Sequence, residues 1–287
     1  MQNSTGRSAQ NNEDKNVVRE FGEEWSRFTQ AELPDRERRA MFEAYFSVFP
    51  WERLPPGAVG ADIGCGSGRW AVLVAPRVGE LHLVDASEAA LAVAKRNLAG
   101  FLNAHFHVAS VARLPFGERS LDFVYSLGVL HHVPDTAAAL KDVAQVLKPG
   151  APLLLYLYYA FDNRPMWFRA LWRASDRTRW LISHLPRVAK HGICEVIAAL
   201  VYWPLARMAR LLERFKRLPS SFPLRYYRNL SFYVMRTDAL DRFGTRLEKR
   251  FTREQIEAML RAAGMESIRF SEEAPFWCVS AIRSGSQ

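Results

Sequence analysis

The sequence predicts an α/β fold built on a mostly parallel sheet, and three observations carry that prediction. Short apolar runs alternate with helical patterns from Ala58 to Tyr158. A glycine-rich bend, Gly64-Cys65-Gly66-Ser67-Gly68, follows the first of those runs. The fifth run, Pro152 to Tyr158, is apolar throughout, as a strand covered on both faces has to be.

The elements follow in order. Val17 to Phe49 reads as helical, with Phe42, Tyr45, Phe46 and Phe49 at helical spacing, and Pro50 and Pro55-Pro56-Gly57 end it. Ala58 to Ile63 is the first strand, and Arg69 to Val78 the helix after it. Leu81 to Asp85 and Glu88 to Ala99 repeat the pair. His105 to Ala109 and Leu121 to Ser126 are the third and fourth strands. Thr136 to Leu147 is a helix stopped by Lys148-Pro149-Gly150. Thr252 with Gln255 three residues on has the spacing of a capping box, and Gly264 ends the helix so begun. Glu266 to Phe270 and Phe276 to Ile282 then read as an antiparallel C-terminal hairpin, which brings the sheet to seven strands.

With 49% apolar and 24% charged residues, the 287-residue chain has the composition of a globular protein. Cys65, Cys194 and Cys278 lie far apart, so no zinc cluster is expected and no metal is assigned. That cysteine usage suits a reduced, cytoplasmic setting. Met1 to Asp14 is polar and is expected to be a disordered tail. No run reaches the roughly 18 uncharged apolar residues that span a bilayer. The longest candidate, Val196 to Leu205, falls short, so no spanning helix is expected.

The charge is unevenly placed. Phe161 to Arg250 holds 19 Lys/Arg against 7 Asp/Glu, whereas the rest of the chain is slightly acidic. Arg169, Arg173 and Arg177 share one helical face there, and Ala206 to Leu218 reads as a second helix with apolar and arginine faces. Pro204, Pro219 and Pro223 punctuate the segment. The expected organisation is therefore a helical cap at 15–55, a cofactor-binding core at 56–160, a basic helical insertion after the fifth strand at 161–250, forming a lid over the acceptor, and a core-completing end at 251–287.

The chemistry centres on Asp62-Ile63-Gly64-Cys65-Gly66-Ser67-Gly68, between a strand and a helix. A bend without side chains lets a ligand approach the backbone at a helix N-terminus. A dinucleotide site would need its third glycine at position 69, which is Arg69. Asp62, just before the bend, would repel a pyrophosphate and attract a cation. A nicotinamide-dependent oxidoreductase is disfavoured on both counts. Asp85 ends the second strand 21 residues after Gly64, where a carboxylate can accept from both ribose hydroxyls.

With Val84-Asp85-Ala86-Ser87, Leu114-Pro115-Phe116, Leu121-Asp122-Phe123-Val124, Val129-Leu130-His131-His132-Val133 and Leu147-Lys148-Pro149-Gly150, the sequence resembles the class I S-adenosylmethionine-dependent methyltransferases. Within them it is most similar to the small-molecule, ubiquinone-biosynthesis-like branch. The resemblance implies a Rossmann-like fold and S-adenosyl-L-methionine as cofactor. It places Gly64, Cys65, Gly66 and Gly68 around the methionine end, with Asp62 nearby and Asp85 on the ribose. Ala86 and Ser87 would line the adenine, with Ser110 and Val111 at its amino group. Ser110 stands where the family usually has Asp. Ser126 and Leu127 would face the reactive side, and Trp25 and Phe28 would belong to a cap closing over the cofactor.

A sulfonium is already an activated donor, so alignment matters more than acid or base help. His131 or His132 is the candidate to take a proton from an oxygen or nitrogen acceptor. Tyr156, Tyr158 and Tyr159 lie at the fifth strand's end, on the expected acceptor side. No Asn-Pro-Pro-Tyr-like run and no Pro-Cys pair follows the fourth strand, and no recognition module accompanies the basic insertion, so nucleic acid is not the expected partner. Arginines alternating with large apolar residues suit an amphipathic, lipid-like small-molecule acceptor and peripheral membrane contact. The other class in view is a non-catalytic, membrane-associated protein that keeps the cofactor fold; the intact bend and Asp85 argue against it.

Overall fold

In a computed structural model, which describes residues 12–285, the alternating pattern becomes one seven-stranded sheet. Its strands are β1 (Val59–Ile63), β2 (Glu80–Asp85), β3 (Ala104–Val108), β4 (Phe123–Leu127), β5 (Pro152–Tyr156), β6 (Met265–Phe270) and β7 (Cys278–Arg283). Their order is β3-β2-β1-β4-β5-β7-β6. The first five run parallel, and β7 inserts antiparallel between β5 and β6. This is a Rossmann-like α/β architecture with the expected antiparallel C-terminal hairpin. The order reverses between β1 and β4, so their carboxyl ends border the crevice where ligands of open α/β sheets bind.

The chain divides into two compact units. One comprises the described residues up to Ala31, Arg39–Ala160 and the described residues from Leu247 on; the other comprises Glu32–Arg38 and Phe161–Arg246. In the first unit, Leu83, Val124 and Leu154 are fully enclosed in the sheet. Helix α4 (Glu88–Asn97) buries Leu91 and Ala94, and α5 (Thr136–Val146) buries Leu140 and Val143, each at helical spacing. The capping box forms as expected at the start of α10 (Arg253–Ala262), and Gly264 follows with φ +76°.

Several expectations need correction. The helix expected over Val17–Phe49 is two, α1 (Lys15–Arg27) and α2 (Asp35–Phe46). Gln30 adopts a left-handed φ of +68° between them, and Pro34, just before α2, has no N–H with which to continue a preceding helix. Arg69–Val78 yields only α3 (Ala71–Val74) and a tighter turn at Ala75–Arg77, because Pro76 removes the donor that a longer helix needs. Part of the expected disordered tail, residues 1–11, lies outside the described residues. Asn12 is buried and exchanges two hydrogen bonds with the backbone of Asp135 (2.9 and 2.6 Å), and Asp14 caps α1.

The second unit holds α6 (Met166–Ser183), α9 (Phe232–Gly244) and, between them, one long helix. That helix joins α7 (Arg187–Ile197), a wide π turn at Ala198–Tyr202 and α8 (Trp203–Arg214). Pro204 does not end it. Proline cannot donate to the carbonyl one turn back, and the π turn absorbs the mismatch. The expected helix Ala206–Leu218 is thus the second half of a 28-residue helix. By length and composition this helix is long and apolar enough to cross a membrane, contrary to the sequence expectation. A count that stops at every charge misses it because Glu195 interrupts the run; Glu195 forms a two-pronged ion pair with Arg236 (2.7 and 2.8 Å).

Leu154, enclosed in β5 between β4 and β7, tests the sheet. Leu154→Ala is expected to lower the unfolding free energy of the first unit by about 2–5 kcal/mol, read from urea titrations followed by circular dichroism. A change within error would mean the sheet is not packed as described.

Candidate active site

The bend after β1 is held by its own backbone. The amides of Gly64 and Cys65 both donate to Val84 O on β2 (2.7 and 3.1 Å), and Gly68 donates to Cys65 O (2.9 Å). Gly64 and Gly66 sit at φ +75° and +54°, where a side chain is strained. A Cβ at Gly64 would lie 2.4 Å from Val129, and one at Gly66 would lie 2.7 Å from the Trp25 indole nitrogen. Glycine is required at both positions for conformation and for space.

Asp85 ties the bend to the next element. Its Oδ2 accepts from the Gly66 amide (2.9 Å) and its Oδ1 from the Ser87 amide (2.8 Å). Loss of solvent around this carboxyl raises its pKa, and the two amides pull it part of the way back. Each oxygen keeps a second lone pair for a further donor. Ser87 caps α4 through Ala90 N (3.3 Å). Gly22 of α1 lies against Ser87, where any side chain would collide, so α1 crosses close to the start of α4.

A cavity of about 130 Å³ opens beside the bend. Of the residues singled out from sequence, Gly64, Asp85, Ala86, Ser110, Val111 and Leu127 line it, together with His132 and Trp25. Asp62, Cys65, Gly66, Gly68, Ser87 and Ser126 do not reach its wall. They stand behind it. Ser126, fully enclosed, donates from Oγ to Ile63 O (2.9 Å) and so joins the ends of β4 and β1. Burial pushes the Cys65 thiol up, with Asp85 and Asp62 adding to the shift, so it is not a reactive thiolate. Ser110 spends its hydroxyl on the Ala112 amide (3.4 Å).

Of the opposite wall, only Trp25 was singled out from sequence. Asn12, Asp14, Val17, Val18 and Phe21 line the cavity from the start of α1, with Val129 and Val133 after β4. The signal was present as an apolar stripe, Val17, Val18, Phe21 and Trp25, at helical spacing. Phe28 lies in the core and lines no part of the cavity. Tyr156, Tyr158 and Tyr159 are also off the wall: Tyr156 meets Tyr45, Tyr158 stacks on His131, and Tyr159 meets Phe276.

The two histidines separate. His131 is fully enclosed, its ring stacked 3.8 Å from that of Tyr158, and neither ring nitrogen has a hydrogen-bond partner. Burial first, then His132 and Arg250, hold it well below the usual histidine range, so it stays neutral and out of reach of the cavity. His132 is on the wall. Its Nδ1 lies 2.6 Å from Leu247 O. A carbonyl only accepts, so Nδ1 carries a proton, and in the tautomer with a single ring proton the lone pair is on Nε2.

Asp62 also departs from expectation. Burial raises its carboxyl to about 8, against a lowering by the adjacent Tyr125 hydroxyl and a further rise from Asp85. The hydroxyl lies beside it without closing a hydrogen bond of good geometry, and Asp62 Oδ2 has no partner. At neutral pH the carboxyl is therefore mostly protonated, and the charge-repulsion argument against a pyrophosphate fails for the unliganded chain. Arg69 still occupies the position where a dinucleotide bend needs glycine.

Comparison with known proteins identifies this unit. Residues 61–150 match the family model described as a methyltransferase domain. The core is a class I methyltransferase domain. It is similar to demethylmenaquinone methyltransferases of Bacillus licheniformis (27% identical over 146 residues, 45% of this chain and 62% of the relative) and Staphylococcus aureus (36% over 97 residues, 33% and 40%). The chain thus spans less than two thirds of these relatives' lengths. A solved S-adenosylmethionine-dependent methyltransferase from Methanosarcina mazei is 19% identical, with a TM-score of 0.49, over 83% of this chain and 98% of that one.

The methyltransferase family draws its methyl group from S-adenosylmethionine. The site fits such a molecule on three features: a glycine cradle that a Cβ would fill, an acceptor at the end of β2, and an orphaned buried carboxyl oxygen on Asp62.

A carboxyl whose folded pKa exceeds its unfolded one destabilises the fold wherever only the unfolded chain has lost the proton. For Asp62 that window runs from 3.8 to about 8. Stability from this group is full below the window and declines as pH rises through it. Melting temperatures of wild type and Asp62→Asn across that range should therefore diverge, with the variant relatively more stable toward pH 8. Parallel curves would refute the assignment.

Proposed function

We propose that this protein transfers a methyl group from S-adenosylmethionine to a small-molecule acceptor. The observation that carries the reading is the Asp85 carboxylate, bound to the bend at Gly66 and to Ser87 while facing the cavity with spare acceptor capacity. The cofactor, when bound, supplies an electrophilic methyl on a positively charged sulfur. Asp85 accepts the ribose hydroxyls, and Ala86, Ser110 and Val111 border the adenine. The bare backbone of the bend takes the amino-acid end. Asp62, behind the bend, gives up its proton as a cation approaches, because a nearby positive charge favours the anion. Val17, Val18, Phe21 and Trp25 exclude water and hold reactants at near-attack distance.

For an acceptor bearing O–H or N–H, His132 Nε2 takes the proton released as the new bond to carbon forms. The Leu247 carbonyl fixes the tautomer that makes this possible. The acceptor is amphipathic in this reading. Support comes from the apolar cavity wall and from the relatives named demethylmenaquinone methyltransferase, which act on a quinone. A cytoplasmic location, peripheral to a membrane, is the corresponding proposal for the chain.

Calorimetry with S-adenosylhomocysteine tests the cofactor reading. Micromolar-range binding is expected, with at least about tenfold loss in Asp85→Ala, where charge-assisted hydrogen bonds are removed. No binding by the wild type would sink the proposal. His132→Ala should leave that affinity within about threefold while lowering methyl transfer by roughly 10²–10⁴-fold, as loss of a general base does. Retained turnover with an unchanged pH profile would remove His132 from the reaction.

A further inference from the structure

We propose that the second unit docks on an anionic lipid surface, with the Arg187–Arg214 helix lying in the plane of the membrane interface. This develops the peripheral location proposed above and does not depend on methyl transfer, since vesicle binding reads it without turnover.

The helix has two unlike sides. A stripe at four-residue spacing, Lys190, Cys194, Ala198, Tyr202 and Ala206, is buried in its own unit. Its other side is apolar and open. Val188 is 86% exposed and Leu200 72%, and Val196, Leu211 and Phe215 are more than half exposed. Trp180 and Trp203 are exposed too, and Trp has the amphipathic ring favoured at a lipid headgroup boundary. At about 1.5 Å per residue the 28-residue helix is roughly 42 Å long, so the apolar side is a band rather than a spot.

Charge selects the partner. Four acids of this unit are engaged internally: Asp176 with Arg179, Glu195 with Arg236, Glu213 with Arg228, and Asp238 with the Tyr227 hydroxyl. Arg169, Arg173, Arg177, Arg210, Arg214 and Arg217 are exposed and make no ion pair among the described residues. Exposed arginines flanking an exposed apolar band match a layer of phosphate headgroups over acyl chains.

The same contacts favour lying in the interface over crossing it. The Lys190 ammonium donates to Gly244 O (2.9 Å), and Arg207 donates to Leu230 O (3.1 Å). Glu195 is locked to Arg236 on α9. A spanning helix would have to break these bonds inside hydrocarbon or carry charged neighbours with it, and both are costly.

Flotation of the full chain with phosphatidylcholine vesicles, with and without phosphatidylglycerol, tests the idea. Binding is expected on anionic vesicles, at least about tenfold weaker on neutral ones, and weakened by salt. Arg210→Glu with Arg214→Glu should abolish the preference for anionic lipid, and Leu200→Glu with Leu211→Glu should reduce binding to both. All four positions are exposed, and unchanged S-adenosylhomocysteine affinity and circular dichroism would show that the variants fold. Wild-type protein left unfloated, or variants that bind like wild type, would overturn the proposal. So would membrane-associated chain that resists extraction at high pH and high salt, which would mark a spanning helix.

Discussion

The carboxylate of Asp85 does two jobs that cannot be separated. It accepts the Gly66 amide from the bend after β1 and the Ser87 amide at the entrance of α4, and so locks two consecutive strand-to-helix turns into one rim. Apart from that bridge the bend is held by the amides of Gly64 and Cys65 on Val84 and by the Asn97 side-chain amide, which donates to Ser67 O (2.9 Å). The rim explains why α1 can pass so near: Gly22 has no side chain to collide with Ser87, and Trp25 fills the space above Gly66. Because each carboxylate oxygen accepts more than one hydrogen bond, the group that builds the rim keeps spare acceptor capacity on the cavity wall.

Asp62 shows how a buried acid can favour a cation without carrying a charge beforehand. Desolvation keeps it protonated in the absence of a positive neighbour. The fold therefore avoids the cost of an isolated buried anion. A positive charge placed beside it would favour the anion, with loss of the proton. What departs from a dinucleotide bend is its spacing, since Arg69 stands where such a bend needs its last glycine.

The sheet was largely legible because its signals are local. A five-residue apolar run followed by a glycine bend reads as strand and turn whatever surrounds it, and the Thr252 capping box is written in two residues. The site was legible only in half. Residues after the strands announced themselves by motif, but the facing wall comes from α1, whose apolar stripe reads equally well as ordinary core packing. His131 and His132 are neighbours with identical chemistry in sequence, yet one lies stacked under Tyr158 and the other beside a carbonyl and the cavity. Only tertiary packing separates them. Pro204 misled in the opposite sense: a residue that usually ends a helix is here accommodated by a π turn.

The two units handle charge in contrasting ways, and the contrast locates the basicity of the chain. In the first, two acids beside the bend are drawn inward, where amides or protonation satisfy them: Asp85 and Asp62. In the second, acids such as Glu195 and Glu213 are consumed by arginines that also tie helix to helix or helix to turn. What remains on the surface of the second unit is then mostly arginine, set beside apolar residues that its packing leaves uncovered. Solvated basic faces ordinarily alternate with polar residues. A face that interleaves arginine with Leu, Val and Trp gains little from water, and its composition is that of a boundary between headgroups and hydrocarbon.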